Sequence, residues 1–301
     1  MYDLISSYLV TNERIKQDYL NNCNVMKNTF TGETELKGEL KNLRIKQKSN
    51  GVSVFGSIAK FYLGNNLQSL SRESTEQAIE KISDELCFRL KDSKLYRIDI
   101  AGNFLMNEPI KKYLSCFGDL QYFKKGFHSE SVYYSNSKKQ IIFYDKLKEM
   151  ANKKETIPDE YKQYKGRVLR YELRFKSRIK DEFNKSVYIS DLYNSDFYTS
   201  ILNKWQEYYF LINRIPKINF NKMAYSTAGI YKDYLLTQFI NEKGLDIILN
   251  DIDTNRDKFK TSVEASRCKD SIKKLFKNKN YLEPNDLINE LDNEVKKAII
   301  Y

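Results

Sequence analysis

Apolar and polar residues alternate through much of the first two thirds of the chain, the period of a strand with one covered face. Between Leu36 and Tyr62 this alternation breaks only at Ser49-Asn50-Gly51, which predicts two long antiparallel strands joined by a tight turn. From Ser71 to Leu90 the period changes. Ala78, Ile79, Ile82, Leu86 and Leu90 recur at helical spacing behind the cap-forming Ser71 and Ser74, so an amphipathic helix is expected. Strand returns over Leu95 to Phe104, followed by a helix around Glu108 to Cys116 and short strands at Leu120 to Lys124, Ser129 to Tyr134 and Gln140 to Lys146. A helix through Lys148 and Met150 and a strand from Val168 to Lys176 close the block. Strands and helices in this mixed order predict an α+β fold: a mostly antiparallel central sheet with flanking helices. From about Ser190 the pattern becomes helical, in Phe197 to Ile212, Ala228 to Glu242 and Asp257 to Phe276. The expected division is a domain over 1–190 and a helical C-terminal domain over 191–301, with no repeat or low-complexity linker.

Composition narrows what such a fold does. With 41% hydrophobic and 14% aromatic residues the chain can bury a core. Its 51 Lys and Arg against 40 Asp and Glu give a formal charge of +11, which points to a polyanionic partner or, equally, to a Lys-, Ile- and Asn-rich composition. Cys23, Cys87, Cys116 and Cys268 form no CxxC pair, which argues against a structural zinc site and a disulfide framework. A single histidine, His128, excludes mechanisms built on paired histidines. No run of eighteen apolar residues occurs, and MYDLISSYLVTNERIKQ lacks the features of a secretory signal; a soluble protein of the cytoplasm, with no membrane partner, is expected.

The most informative segment is Leu169-Arg170-Tyr171-Glu172-Leu173-Arg174-Phe175-Lys176, whose alternation puts the apolar residues on one face and only charge on the other. For one strand alone, a solvated outer face is the ordinary explanation. The pattern recurs, however, in Tyr96-Arg97-Ile98-Asp99-Ile100 and in Ile141 to Lys146, where Tyr144 and Lys146 fall on the polar side. His128 and Glu130 likewise share a face. If these strands are neighbours, Asp99, Glu130 and Glu172 face the same space as Tyr144, Lys146, Arg170 and Arg174. Carboxylates without histidine or cysteine suit Mg²⁺ or Mn²⁺. A phenol at neutral pH is about three pKa units from ionised, roughly 4 kcal/mol, so a nucleophilic tyrosine there needs help from a metal, Lys146 or a base. Pattern alone does not single Tyr144 out among 23 tyrosines, most of which serve packing.

In order and spacing, five pieces of the chain resemble the replication initiators of filamentous phages, the gene II family, and more distantly the initiators of rolling-circle plasmids. They are Ser53-Val54-Phe55-Gly56 to Leu63-Gly64-Asn65-Asn66; Tyr96-Arg97-Ile98-Asp99; Ser129-Glu130-Ser131-Val132-Tyr133-Tyr134; Ile142-Phe143-Tyr144-Asp145-Lys146; and Val168 to Arg174. The resemblance implies a metal-dependent nicking and rejoining of one DNA strand at an origin, through a 5′ phosphotyrosine on Tyr144 assisted by Lys146. It implies Asp99, Glu130 and Glu172 as ligands for Mg²⁺ or Mn²⁺, and Arg97, Arg170, Arg174 and Lys176 as phosphate contacts. The expected partners are single-stranded and supercoiled origin DNA, a host helicase and a DNA polymerase, and an oligomer is compatible with this reading. No second tyrosine is clearly paired with Tyr144; Tyr133 and Tyr134 lie in another strand.

Two other readings stay open on sequence. One is a non-catalytic DNA-binding accessory protein, which the intact Tyr144, Lys146 and acids disfavour. The other is an RNA-binding module stacking bases on Tyr133, Tyr134 and Tyr144, which the interleaved acids disfavour. In the C-terminal part, the basic stretch Arg256 to Lys279 reads either as a duplex-DNA contact or as a solvated helix.

Overall fold

The computed structural model describes residues 1–27, 29–30, 32–128, 130–215, 217–218, 227–275, 282–283 and 285–299. Ser129, Phe276 and residues 277–279, which figure in the sequence reading, lie outside the described residues. Ten strands form one antiparallel sheet: β1 (Tyr2–Val10), β2 (Asn21–Lys27), β3 (Thr34–Leu40), β4 (Leu43–Lys48), β5 (Gly51–Ser57), β6 (Lys94–Leu105), β7 (Lys124–His128), β8 (Ser131–Ser135), β9 (Lys139–Asp145) and β10 (Val168–Phe175). Their order across the sheet is β2-β3-β4-β5-β1-β6-β10-β9-β8-β7. The three strands carrying the charged alternation, β6, β10 and β9, are immediate neighbours near its middle.

The helices are α1 (Ile58–Leu63), α2 (Arg72–Leu86), α3 (Ile110–Leu114), α4 (Lys146–Asn152), α5 (Asp159–Lys162), α6 (Ile179–Phe183), α7 (Ser195–Phe210), α8 (Ala228–Lys243), α9 (Leu245–Thr254), α10 (Ser262–Leu275) and α11 (Asp286–Lys297). Among the described residues none is long and apolar enough to cross a membrane. The fold is α+β, as the alternation of patterns predicts.

Three local features differ from the sequence expectation. The segment Leu36 to Tyr62 is not two strands: Lys41, at φ 53°, turns the chain between β3 and β4, and Ser57 caps α1 by accepting from the Lys60 amide at 3.1 Å. The strand expected at Leu120 to Lys124 instead begins at Lys124. The third difference is β1, which the alternation does not flag although it sits between β5 and β6. A register shift between Tyr2 and Ile5 breaks the period of two on which such recognition depends.

One face of the sheet holds the core. Ile98, Ile100, Ile141, Phe143, Leu169, Tyr171, Leu173 and Phe175 are buried there, and Phe143, Tyr171 and Trp205 stack in series at centroid distances of 4.7 Å. The Tyr171 hydroxyl donates to the Trp205 carbonyl at 2.7 Å, so α7 docks on the sheet rather than belonging with the helices that follow it. Gly102, opposite Tyr171, makes room for this indole: a Cβ there would stand 3.1 Å from Trp205 Cζ2 and 3.0 Å from Phe104 Cζ. Gly102→Ala is therefore expected to destabilise by about 1–3 kcal/mol through overpacking, read as a lower urea midpoint with unchanged slope. An unchanged midpoint would mean that α7 does not press on this part of the sheet.

The chain divides into two compact units, the first comprising 1–110, 120–211 and 294–301, the second 111–119 and 212–293. In the second, α8, α9 and α10 pack around Ile240, Leu249, Ile252, Ala265 and Ile272, and two short strands, β11 (Lys217–Ile218) and β12 (Leu282–Glu283), pair antiparallel. Within its basic stretch, Arg256 and Lys269 both pair with Asp253, and Arg267 pairs with Glu264.

Candidate active site

The opposite face of the sheet is charged, but at its centre it is not solvated. Arg170 is 2% exposed, Glu172 3% and Asp99 2%. A row of ionised groups this deep persists only if each is paired, and the strand register supplies the pairing. Arg174 of β10 lies opposite Asp99 of β6, and Arg170 opposite both Asn103 of β6 and Tyr144 of β9.

Glu172 is the hub. Its Oε1 accepts from the Tyr144 hydroxyl at 2.6 Å and from Arg170 Nε at 2.6 Å, while its Oε2 accepts from Arg174 Nε at 2.8 Å and from a terminal nitrogen of Arg174 at 2.5 Å. Arg170 spans the centre of the sheet, donating also to Asp3 Oδ2 at 2.5 Å, to the Asn66 carbonyl at 3.0 Å and to Asn103 Oδ1 at 3.1 Å. Asp3 is fixed in turn by the Ser57 hydroxyl at 2.7 Å and the Asn66 amide at 3.0 Å. Beside them Arg97 grips Asp99 with two bonds of 2.8 and 2.7 Å, and Arg174 Nε stands 3.6 Å from the same carboxylate. Three arginines thus balance three acids. Asp3, Ser57, Asn66 and Asn103 are not singled out by the sequence pattern; Asp3 and Ser57 come from the register-shifted β1 and the cap of α1, which periodicity does not reveal.

The electrostatics follow from this arrangement. For Glu172 the two arginines outweigh burial and hold the carboxyl well below the usual range. Burial, with the neighbouring Glu172 charge, pushes the Tyr144 phenol well above its ordinary value. Burial also dominates at Asp99, pushed up to about 6 despite Arg97 and Arg174. The resting pair is therefore a protonated tyrosine donating to an ionised glutamate.

A cleft of about 690 Å³ opens over this network. Tyr144, Glu172, Arg174, Asp99 and Arg97 line it, together with His128 and Glu130 at the turn between β7 and β8. The structure thus brings together most of the residues picked out by sequence. Three of them are placed otherwise. Lys146 does not continue β9 but opens α4, capped by Asp145, and its buried ammonium bonds Glu149 at 2.7 Å. Arg170 lies beneath the cleft floor as a structural centre. Lys176 follows β10 and donates to the Asn136 carbonyl at 3.0 Å. Of the neighbouring tyrosines, Tyr134 is buried in the core, while Tyr133 shares the face of Tyr144.

Whether Asp99, Glu130 and Glu172 fit a divalent cation depends on free lone pairs. Glu172 accepts from two guanidinium groups and a phenol, Asp99 is held by both ends of Arg97, and Glu130 pairs with Lys148 at 2.5 Å. Among the described residues no three His, Cys, Asp or Glu side chains gather as a ligand set. In this arrangement the three acids do not fit a cation.

Comparison with known families places the protein. The family model for the N-terminal region of the phage gene II replication-associated protein matches residues 1–205. The chain belongs to this phage replication-associated family. The match includes the whole ten-stranded sheet, all of the cleft residues and α7 up to Trp205. It is the filamentous-phage gene II family that the five sequence motifs resemble. A search of curated proteins found no match.

Proposed function

We propose that this replication-associated protein nicks one strand of origin DNA, with Tyr144 as nucleophile. The observation that carries the reading is the 2.6 Å hydrogen bond from the Tyr144 hydroxyl to Glu172, on the floor of an open cleft ringed by cations. Tyr144 Oη attacks a backbone phosphorus, the bond from phosphorus to the 3′ oxygen breaks, and a 5′ phosphotyrosine and a free 3′ hydroxyl result. The phenolic proton passes to Glu172 and ends, through solvent, on the departing 3′ oxygen.

Transfer from a raised phenol to a depressed carboxyl is uphill in the resting protein. Substrate relieves part of this difference. Arg174, about a quarter exposed, is the guanidinium able to turn from Glu172 to an incoming phosphate, whereas Arg170 is buried. With Arg174 on the phosphate, Glu172 loses a positive neighbour and becomes more basic as the phenol must give up its proton. The phosphotyrosine conserves the bond energy, so the displaced strand can be rejoined without a nucleotide cofactor.

The divalent-cation requirement implied by the sequence resemblance draws no support from the donor set, and no step here passes through a metal. Nicking measured with Mg²⁺, with Mn²⁺ and in EDTA reads the requirement directly; loss in EDTA would mean that the acids exchange guanidinium for metal when DNA enters. The test of the main reading is conversion of supercoiled DNA from the protein's own replicon to open circles. Tight DNA binding without any conversion would support the accessory-protein reading instead.

A further inference from the structure

The cations lining the cleft are not equivalent. Lys60 pairs with Glu155, Arg97 with Asp99, Lys148 with Glu130, Lys153 with Glu149 and Arg174 with Glu172. Arg44 has no carboxylate or hydrogen-bond partner among the described residues. It lies on β4 directly opposite Phe55 of β5, its guanidinium carbon 4.3 Å from the centre of the Phe55 ring. Arg97 flanks the same ring at 5.8 Å. Phe55 is half-buried and lines the cleft, on a face of β5 that it shares with Ser53 and Ser57.

The guanidinium stacked on Phe55 keeps its in-plane N–H groups free, and the half-buried ring presents aromatic surface at the cleft wall. The carboxylate directly opposite Arg44, Glu39 of β3, is bonded by the Asn22 amide rather than by Arg44, so an anion approaching Arg44 breaks no ion pair. From this we infer that Arg44 and Phe55 form a nucleotide subsite for the cut strand: an unpaired base stacks on the Phe55 ring while Arg44 forks the adjoining phosphate. Because both residues line the cleft that holds Tyr144, the subsite sets which phosphate of a single strand reaches the nucleophile. A paired base cannot offer its face to the ring, so the subsite selects single-stranded or unwound DNA. This assignment rests on the nicking reading for the cutting of the bound strand by Tyr144, and not for single-strand binding itself.

The experiment is fluorescence anisotropy of labelled oligothymidylate, and of a duplex of equal length, against wild-type, Phe55→Ala, Phe55→Trp and Arg44→Ala proteins, all in the full chain. Phe55→Ala is expected to weaken single-strand binding by about tenfold with duplex binding unchanged. Arg44→Ala should lower the salt dependence of single-strand binding by about one phosphate contact. Phe55→Trp should restore affinity, and its indole emission should be quenched on binding, a signal distinguishable from the buried Trp205. Wild-type affinity in both Phe55→Ala and Arg44→Ala would overturn the subsite, as would an equal loss on duplex, which would mark a general electrostatic effect. Failure of the nicking reading shows separately, as wild-type protein that binds oligothymidylate through Phe55 yet never cuts replicon DNA.

Discussion

Tyr144→Phe is expected to lose nicking by a factor on the order of 10⁴ or more, the scale on which removal of a catalytic nucleophile registers. The loss should fall on the chemical step alone. The hydroxyl is one of several donors to Glu172, and the two arginines remain, so the fold should lose only about 1 kcal/mol. Single-strand affinity measured by anisotropy should stay within a few-fold of wild type, because the phenol is half-buried and the cationic rim is untouched. Nicking by Tyr144→Phe at the wild-type rate would remove the central assignment.

The second large effect is on stability. Arg170→Met is expected to destabilise the protein by about 3–5 kcal/mol, because it leaves Asp3 and Glu172 in the sheet centre without their common counter-ion. Urea unfolding followed by circular dichroism reads the change as a lower midpoint. Arg170→Lys should recover little of it, since one ammonium cannot reach Glu172, Asp3, Asn103 and the Asn66 carbonyl together. Adding Asp3→Asn to Arg170→Met should return part of the loss, as it removes the charge left without an arginine, whereas Glu172 keeps Arg174. A midpoint unchanged by Arg170→Met would show that the acids are stabilised by something other than this guanidinium. The same logic makes Glu172→Ala a poor probe of catalysis, because it removes the carboxylate to which both Arg170 and Arg174 are bonded.

How far the sequence discloses this site depends on what each residue's role leaves in the pattern. The alternation in β10, β6 and β9 is regular, so it reveals that Tyr144, Glu172, Arg174 and Asp99 share a face. It does not reveal that the face is covered, because a buried ion network and a solvated strand carry the same alternation; only the register, with Arg174 against Asp99 and Arg170 against Tyr144, decides between them. Asp3 is hidden by the register shift in β1, and Asn66 meets Arg170 through its backbone carbonyl, which any residue type could supply. Strand spacing misplaces Lys146 for a related reason. Asp145 forms a helix cap at the end of β9, and the period of two stops there, so spacing along the strand no longer carries Lys146 to the side of Tyr144. The acids read as metal ligands when carboxylates are counted without their cationic partners, the arginines bonded to Asp99 and Glu172 and the lysine bonded to Glu130.

The most direct test of Tyr144 as nucleophile is to trap the reaction on DNA from the protein's own replicon, digest the protein, and locate the nucleotide-bearing peptide by mass spectrometry. The expected result is a phosphodiester-linked nucleotide on Tyr144, in the peptide that contains Ile142-Phe143-Tyr144-Asp145. An adduct on any other residue, or nicked DNA with no adduct at all, would contradict it.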